Sequence, residues 1–130
     1  MIVVDASAVL EVLLRTPLGT AVESRILGTG EVLHAPHLLD VEIAQVVRRF
    51  TMAGEIDSAR AQAALDDFVD LPIWRHAHGF LLRRIWALRN NFSAYDATYV
   101  ALSEVLEATL LTHDRRLALA ARRYARVELV

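Results

Sequence analysis

The feature that most restricts the fold is a series of very short apolar runs set between longer stretches of helical periodicity. Ile2-Val3-Val4 is continuous and β-branched, with no polar alternation, which is the pattern of a strand covered on both faces. Asp5 ends it at once. Further short strands are predicted over 31–35, stopped by Pro36, over 71–74, where Pro72 favours a sheet edge, and over 109–112 and 127–130. Helices are predicted between them over 6–14, 18–27, 37–52, 56–68, 76–88, 93–106 and 114–123. In the third of these, Leu38, Leu39, Ile43, Val46, Val47 and Phe50 recur at helical spacing, and Gly28-Thr29-Gly30 marks the turn before the second strand. Strands alternating with helices specify an α/β fold, because parallel neighbours need long crossovers. One three-layer α/β/α domain with a short-stranded parallel sheet accounts for residues 1–130, with no repeat, linker or low-complexity segment.

Length and composition agree with a single core. A chain of 130 residues buries roughly two-thirds of the surface it exposes when unfolded. No apolar run approaches the ~20 residues that span a bilayer, and the N-terminus has no basic segment ahead of its apolar residues. Cysteine is absent, which removes disulfides, thiolate nucleophiles and cysteine zinc sites together. A cytoplasmic location is expected. The formal charge of −2 argues against a broad basic surface, yet all 14 basic residues are Arg. Guanidinium grips phosphate through two parallel hydrogen bonds, although Ala- and Arg-rich composition is also what base composition alone would produce.

Acidic residues carry the chemistry. In open parallel sheets, ligands bind outside the carboxyl ends of the strands, where strand order reverses. Asp5 follows the first strand, Asp114 follows Leu110-Leu111, and Asp96 lies near the head of the Ser93 helix. Glu42 shares a helical stripe with Leu38 and Val46, which aims it along the edge of the core. Each also has a local structural reading. Asp5 and Asp114 can cap the helices that follow them, Ser93-Ala94-Tyr95-Asp96 fits a capping box, and Glu42 can be a surface residue. Capping does not explain why all four fall at one end of a sheet. Four carboxylates without a matching cation raise one another's pKa, and an oxygen-only shell selects hard ions such as Mg²⁺ or Mn²⁺. Such ions activate water and stabilise the leaving oxygen of a phosphodiester.

Other residues point less clearly. His76 and His78 are two apart and share no helical face, so a structural or surface role is expected. His34, His37 and His113 are expected beside the acidic mouth in supporting roles, and Trp74, Trp86 and Tyr99 in the core. No glycine-rich phosphate loop follows the first strand. An aspartyl-phosphate phosphatase with Asp5 as nucleophile would want a second Asp where Ser7 stands, and a Lys that this chain lacks. A phosphoacceptor signalling domain fails for the same lack of Lys. A catalytically inactive interaction module, which only dimerises or binds a protein partner, is the alternative from another class.

Four segments together resemble the PIN-domain ribonucleases, and among them the VapC-type toxins of bacterial toxin–antitoxin pairs. They are the apolar run with Asp5-Ala6-Ser7-Ala8, Pro36-x-Leu38-x-x-x-Glu42, Ser93-Ala94-Tyr95-Asp96-Ala97-x-Tyr99-x-Ala101-Leu102, and Leu110-Leu111-Thr112-x-Asp114-x-x-Leu117. The resemblance covers the whole chain. It implies a five-stranded parallel sheet, Mg²⁺- or Mn²⁺-dependent cleavage of RNA, a homodimer, and an antitoxin that wraps the toxin and obstructs its site. Residue by residue, it makes Asp5 and Asp96 the principal metal ligands. Glu42 and Asp114 would bind a second ion or position the water, and Ser7 and Thr112 would orient the metal shell. Some relatives carry a further acid where this chain has Leu117, which bears on a second metal.

Overall fold

Ile2, Val3 and Val4 are fully buried, and the computed structural model, which describes residues 1–130, puts their strand at the centre of the sheet. The elements follow in the order β1 (Ile2–Val4), α1 (Ala6–Leu13), α2 (Gly19–Leu27), β2 (Leu33–Pro36), α3 (Leu38–Met52), α4 (Ser58–Asp70), β3 (Ile73–His76), a 3₁₀ turn (Gly79–Leu81), α5 (Leu82–Ala87), α6 (Ala94–Leu106), β4 (Thr109–Thr112), α7 (Arg115–Ala121) and β5 (Val127–Leu129). Strand order is β3-β2-β1-β4-β5, and every pairing is parallel. The chain builds outward from β1 through β2 to β3, then returns to the other side of β1 for β4 and β5. The order therefore reverses between β1 and β4, which opens a crevice beyond their carboxyl ends.

Alternate residues of the strands feed two cores, one on each face of the sheet. Ile2, Val4, Leu33, Ala35, Ile73 and Leu111 meet the inner faces of α1 to α4, including Val9, Leu13, Ile26, Ile43 and Phe68. Val3 and Leu110 meet Leu81 and Ile85, a run from Tyr99 to Leu102 on α6, and Leu117 and Ala121 on α7. Helices on both faces explain why the strands carry no polar alternation. The expected five-stranded α/β/α architecture is the one found, with each helix and strand close to its predicted place.

Two strands are displaced from their predicted bounds. β2 begins at Leu33 and takes in Pro36, because β1 pairs with it only through Ile2↔Leu33 and Val3↔His34. Pro36 has no partner on the β1 side, where a residue without an N–H is tolerated. β3 starts at Ile73 rather than Leu71, which caps α4, and the pairing Pro36↔His76 carries it two residues further than expected. The predicted helix from His76 consequently begins only at the 3₁₀ turn from Gly79. As Pro72 suggested, β3 is an edge strand. This position also corrects the expectation for the tryptophans. Trp74 on edge strand β3 and Trp86 on α5 are each 68% exposed.

Candidate active site

Asp5 is fixed by hydrogen bonds that tie the ends of β1 and β4 together across the crevice. Its Oδ1 accepts from Ala8 N at 3.0 Å, which caps α1, and from Ser7 Oγ at 2.7 Å. Its Oδ2 accepts from Thr112 Oγ1 at 2.5 Å. Thr112 Oγ1 also accepts from Asp114 N at 3.0 Å, and Ser7 Oγ accepts from His113 N at 2.8 Å. Ser7 and Thr112 hydroxyls stand 3.1 Å apart. The carboxylate is 5% exposed, and burial pushes its pKa up despite these donors, with Asp114 adding to the rise.

Three further acids reach the same cleft. Glu42 projects from α3, half-buried, and accepts a hydrogen bond from the hydroxyl of Tyr99 on α6. Burial raises its pKa, and so do Asp5 and Asp96, against the opposing Tyr99 bond. Asp114 caps α7, its Oδ1 accepting from Arg116 N at 2.8 Å and Leu117 N at 3.1 Å. Asp96 lies one turn into α6. Its own N–H donates to Ser93 Oγ at 3.1 Å, but its carboxylate does not return the bond that would complete a capping box. Burial and then Asp114 raise its pKa, while the nearby Arg116 lowers it.

Asp5, Glu42, Asp96 and Asp114, with Ser7, Tyr99 and Leu117, thus line one cleft of about 160 Å³. They come from four different elements, and no basic side chain lines the cleft with them. As the side chains stand, no three acids or histidines are gathered at the spacing that would hold one ion. The donor set is nevertheless all oxygen, and Asp96 keeps its carboxylate free for a ligand. Such a set suits a hard divalent cation.

The histidines stand around this arrangement in structural places, not in the cleft itself. None lines the cleft, and His113 touches its network only through its backbone N–H. Buried His34 faces His76, Nδ1 to Nε2 at 2.9 Å. Burial first, and then His76, hold its pKa below the usual histidine range. Tyr99 is the functional residue that periodicity hides. It is buried as predicted, at 2% exposure, but its hydroxyl also fixes Glu42. Its position three residues after Asp96 on one helix was the available signal, since residues three apart share a face.

Comparison with known proteins agrees with this geometry. The PIN domain family profile matches residues 2–123. Ribonuclease VapC9 of Mycobacterium tuberculosis is 44% identical over 118 residues, covering 91% of this chain and 89% of that protein. Among solved structures, PAE2754 from Pyrobaculum aerophilum superposes with a TM-score of 0.74 at 21% identity, covering 97% of this chain and 87% of its own. VapBC2 from Rickettsia felis, crystallised with a DNA fragment from its promoter, gives a TM-score of 0.70 at 13% identity, over 99% of this chain and 98% of that one. The fold, the match over nearly the whole chain and the identity to VapC9 place this protein in the PIN domain family, among the VapC ribonucleases.

Proposed function

We propose that this chain is a metal-dependent endoribonuclease, the toxin of a toxin–antitoxin pair, and that Asp5, Glu42, Asp96 and Asp114 form its catalytic centre. One observation carries the reading: four elements separated in sequence bring four carboxylates to one cleft at the switch point of the sheet. Caps account for the positions of Asp5 and Asp114, but not for Asp96, whose carboxylate caps nothing. Kinship with VapC9, named a ribonuclease, supplies the substrate class.

Asp5 and Asp96 would be the principal ligands of Mg²⁺ or Mn²⁺, with Glu42 and Asp114 completing the set. A bound ion of this kind supplies Lewis acidity and a nucleophilic water at neutral pH. The chain's own residues do the positioning. Ser7 and Thr112 hold both oxygens of Asp5 in a fixed plane, Tyr99 holds Glu42, and backbone N–H groups orient Asp114. Asp96 retains the rotamer freedom to close on an ion. Leu117 stands where some relatives have another acid, so the set is four rather than five.

The partner reading follows from the same charges. A cleft of carboxylates attracts a guanidinium as it attracts a metal, so a small antitoxin inserting an Arg would block the ion. VapBC2, a structural neighbour, is a complex by its name. The resemblance also carries a homodimer, which size-exclusion chromatography with light scattering would measure as two chains per particle.

The test of the enzyme reading is the chemistry of the cut ends. Hydrolysis by an activated water leaves no 2′,3′-cyclic phosphate, whereas attack by the RNA's own 2′-OH does. Purified chain incubated with single-stranded RNA and Mn²⁺ should give fragments without cyclic ends. Cyclic ends, or no cleavage of any RNA, would contradict the reading.

A further inference from the structure

An acidic cleft repels the polyanion it is meant to cut, so a strand entering it must be gripped by cations close by. The structure offers such a place beside Asp96 and Leu117. These two residues also line a hollow of about 350 Å³, between the α5–α6 connection and α7, walled by Arg89, Asn90, Asn91 and Arg116. Asn91 and Arg116 lead into a second hollow of about 360 Å³ that reaches Arg123 and Tyr124. The first hollow shares Asp96 and Leu117 with the acid cleft, and Asn91, Arg116 and Ala120 with the second hollow, so the three adjoin in series as a groove.

Of the 14 arginines, Arg15, Arg25, Arg75 and Arg84 are each paired with a carboxylate. Arg89, Arg116 and Arg123 are exposed and in no salt bridge. Asp96, at the mouth, is the one acid on the walls of either hollow. Three of the arginines outside any salt bridge thus stand in hollows that adjoin the acidic centre. Arg89 and Asn91 are partly ordered in advance. The Arg89 guanidinium lies 4.7 Å from the centre of the Trp86 ring, and Nη1 donates to Trp86 O at 3.0 Å. Asn91 Nδ2 donates to the Tyr124 hydroxyl at 2.9 Å, which fixes the amide and leaves its Oδ1 available as an acceptor. Guanidinium forks fit phosphate oxygens, and amide side chains read the edges of unstacked bases.

We propose that this groove is the track of the RNA strand, with Arg116, Arg89 and Arg123 binding phosphates on one side of the scissile bond and Asn90 and Asn91 meeting base edges. The proposal rests on the ribonuclease reading for its substrate and assigns the groove to RNA rather than to an acidic protein segment, because it adjoins the acid cleft at Asp96 and Leu117.

Fluorescence anisotropy of a labelled single-stranded oligoribonucleotide in EDTA, over a range of salt, tests the track without cleavage. Replacing any one of Arg89, Arg116 or Arg123 by Gln should lower the salt slope by about 0.7 and weaken binding about fivefold near 0.1 M salt. Asn91→Asp, which places a like charge in the groove, should weaken it as well. Arg48→Gln, on exposed α3 and outside the groove, should change nothing. In Mn²⁺, Arg89→Gln and Arg123→Gln should raise KM and leave kcat near wild type. Wild-type binding by the three Gln variants and by Asn91→Asp would overturn the track, and so would an equal loss in Arg48→Gln. Variants that bind RNA normally but fail to capture the partner protein would assign the groove to that protein instead. The two readings fail separately. A chain that cleaves no RNA but loses RNA binding in the groove variants keeps the track and forfeits the nuclease. One that cleaves as well without these arginines keeps the nuclease and forfeits the track.

Discussion

Asp5 and Asp114 each serve two purposes that local sequence presents as alternatives. Their carboxylates satisfy orphan N–H groups at the heads of α1 and α7, and the same side chains line the acid cleft. A cap holds a carboxylate still, so the two uses support one another. Tyr99 and Glu42 make a second such pair, in which a core residue positions a cleft residue. Tyr99→Phe should cost about 1 kcal/mol in a urea titration, since a hydrogen bond to a charged, half-buried group is lost. The cost should shrink in a Glu42→Gln background, where no charge awaits the donor, and a coupling below about 0.3 kcal/mol would mean the pair does not interact. The four acids were legible from their places relative to strands and helix heads. Tyr99's second role was not, because burial and hydrogen bonding look alike in a periodicity pattern.

At the scale of elements, the buried runs read correctly and the margins did not. β1 and β4 are continuous apolar runs whose ends are set by Asp5 and by Thr112 before Asp114. β2 and β3 slid toward their carboxyl ends because pairing register, a tertiary property, overrode the local signals of Pro36 and His76. Pro72 already marked the strand of Trp74 as an edge, but the exposure of Trp74 and Trp86 depends on tertiary packing, which local sequence does not carry. α7 separates capping from chemistry experimentally. Asp114→Ala removes the cap and should destabilise by about 1 kcal/mol, whereas Asp114→Asn keeps an acceptor and should hold stability. Both should lose cleavage, by the loss of a charge from the cleft. An Asn variant that cleaves like wild type would confine Asp114 to capping.

For the whole molecule, the sheet brings Asp5, Glu42 and Asp96 together at a cost in charge that pH can reveal. All three have pKa values raised above their ordinary 3.8, 4.5 and 3.8. Between those values and the raised ones, the folded chain binds more protons than the unfolded chain. These groups therefore oppose folding at neutral pH, and their penalty fades as pH falls through the raised values. Asp96→Asn removes one such group without removing a hydrogen bond from its carboxylate. Thermal melts in EDTA from about pH 4 up to neutrality should show a shallower loss of stability with rising pH in Asp96→Asn than in wild type. Its melting temperature near neutrality should equal or exceed wild type. A variant that melts well below wild type would return Asp96 to a structural role.

The account turns on whether these carboxylates hold the ion that cuts RNA. The most direct measurement is the rate of RNA cleavage against Mn²⁺ concentration, for wild type and Asp96→Asn side by side. Wild type should show no cleavage in EDTA and a saturable rise as Mn²⁺ is added, while the variant should fall on the order of a hundredfold or more at every concentration. Undiminished cleavage in EDTA, or a variant that matches wild type, would contradict it.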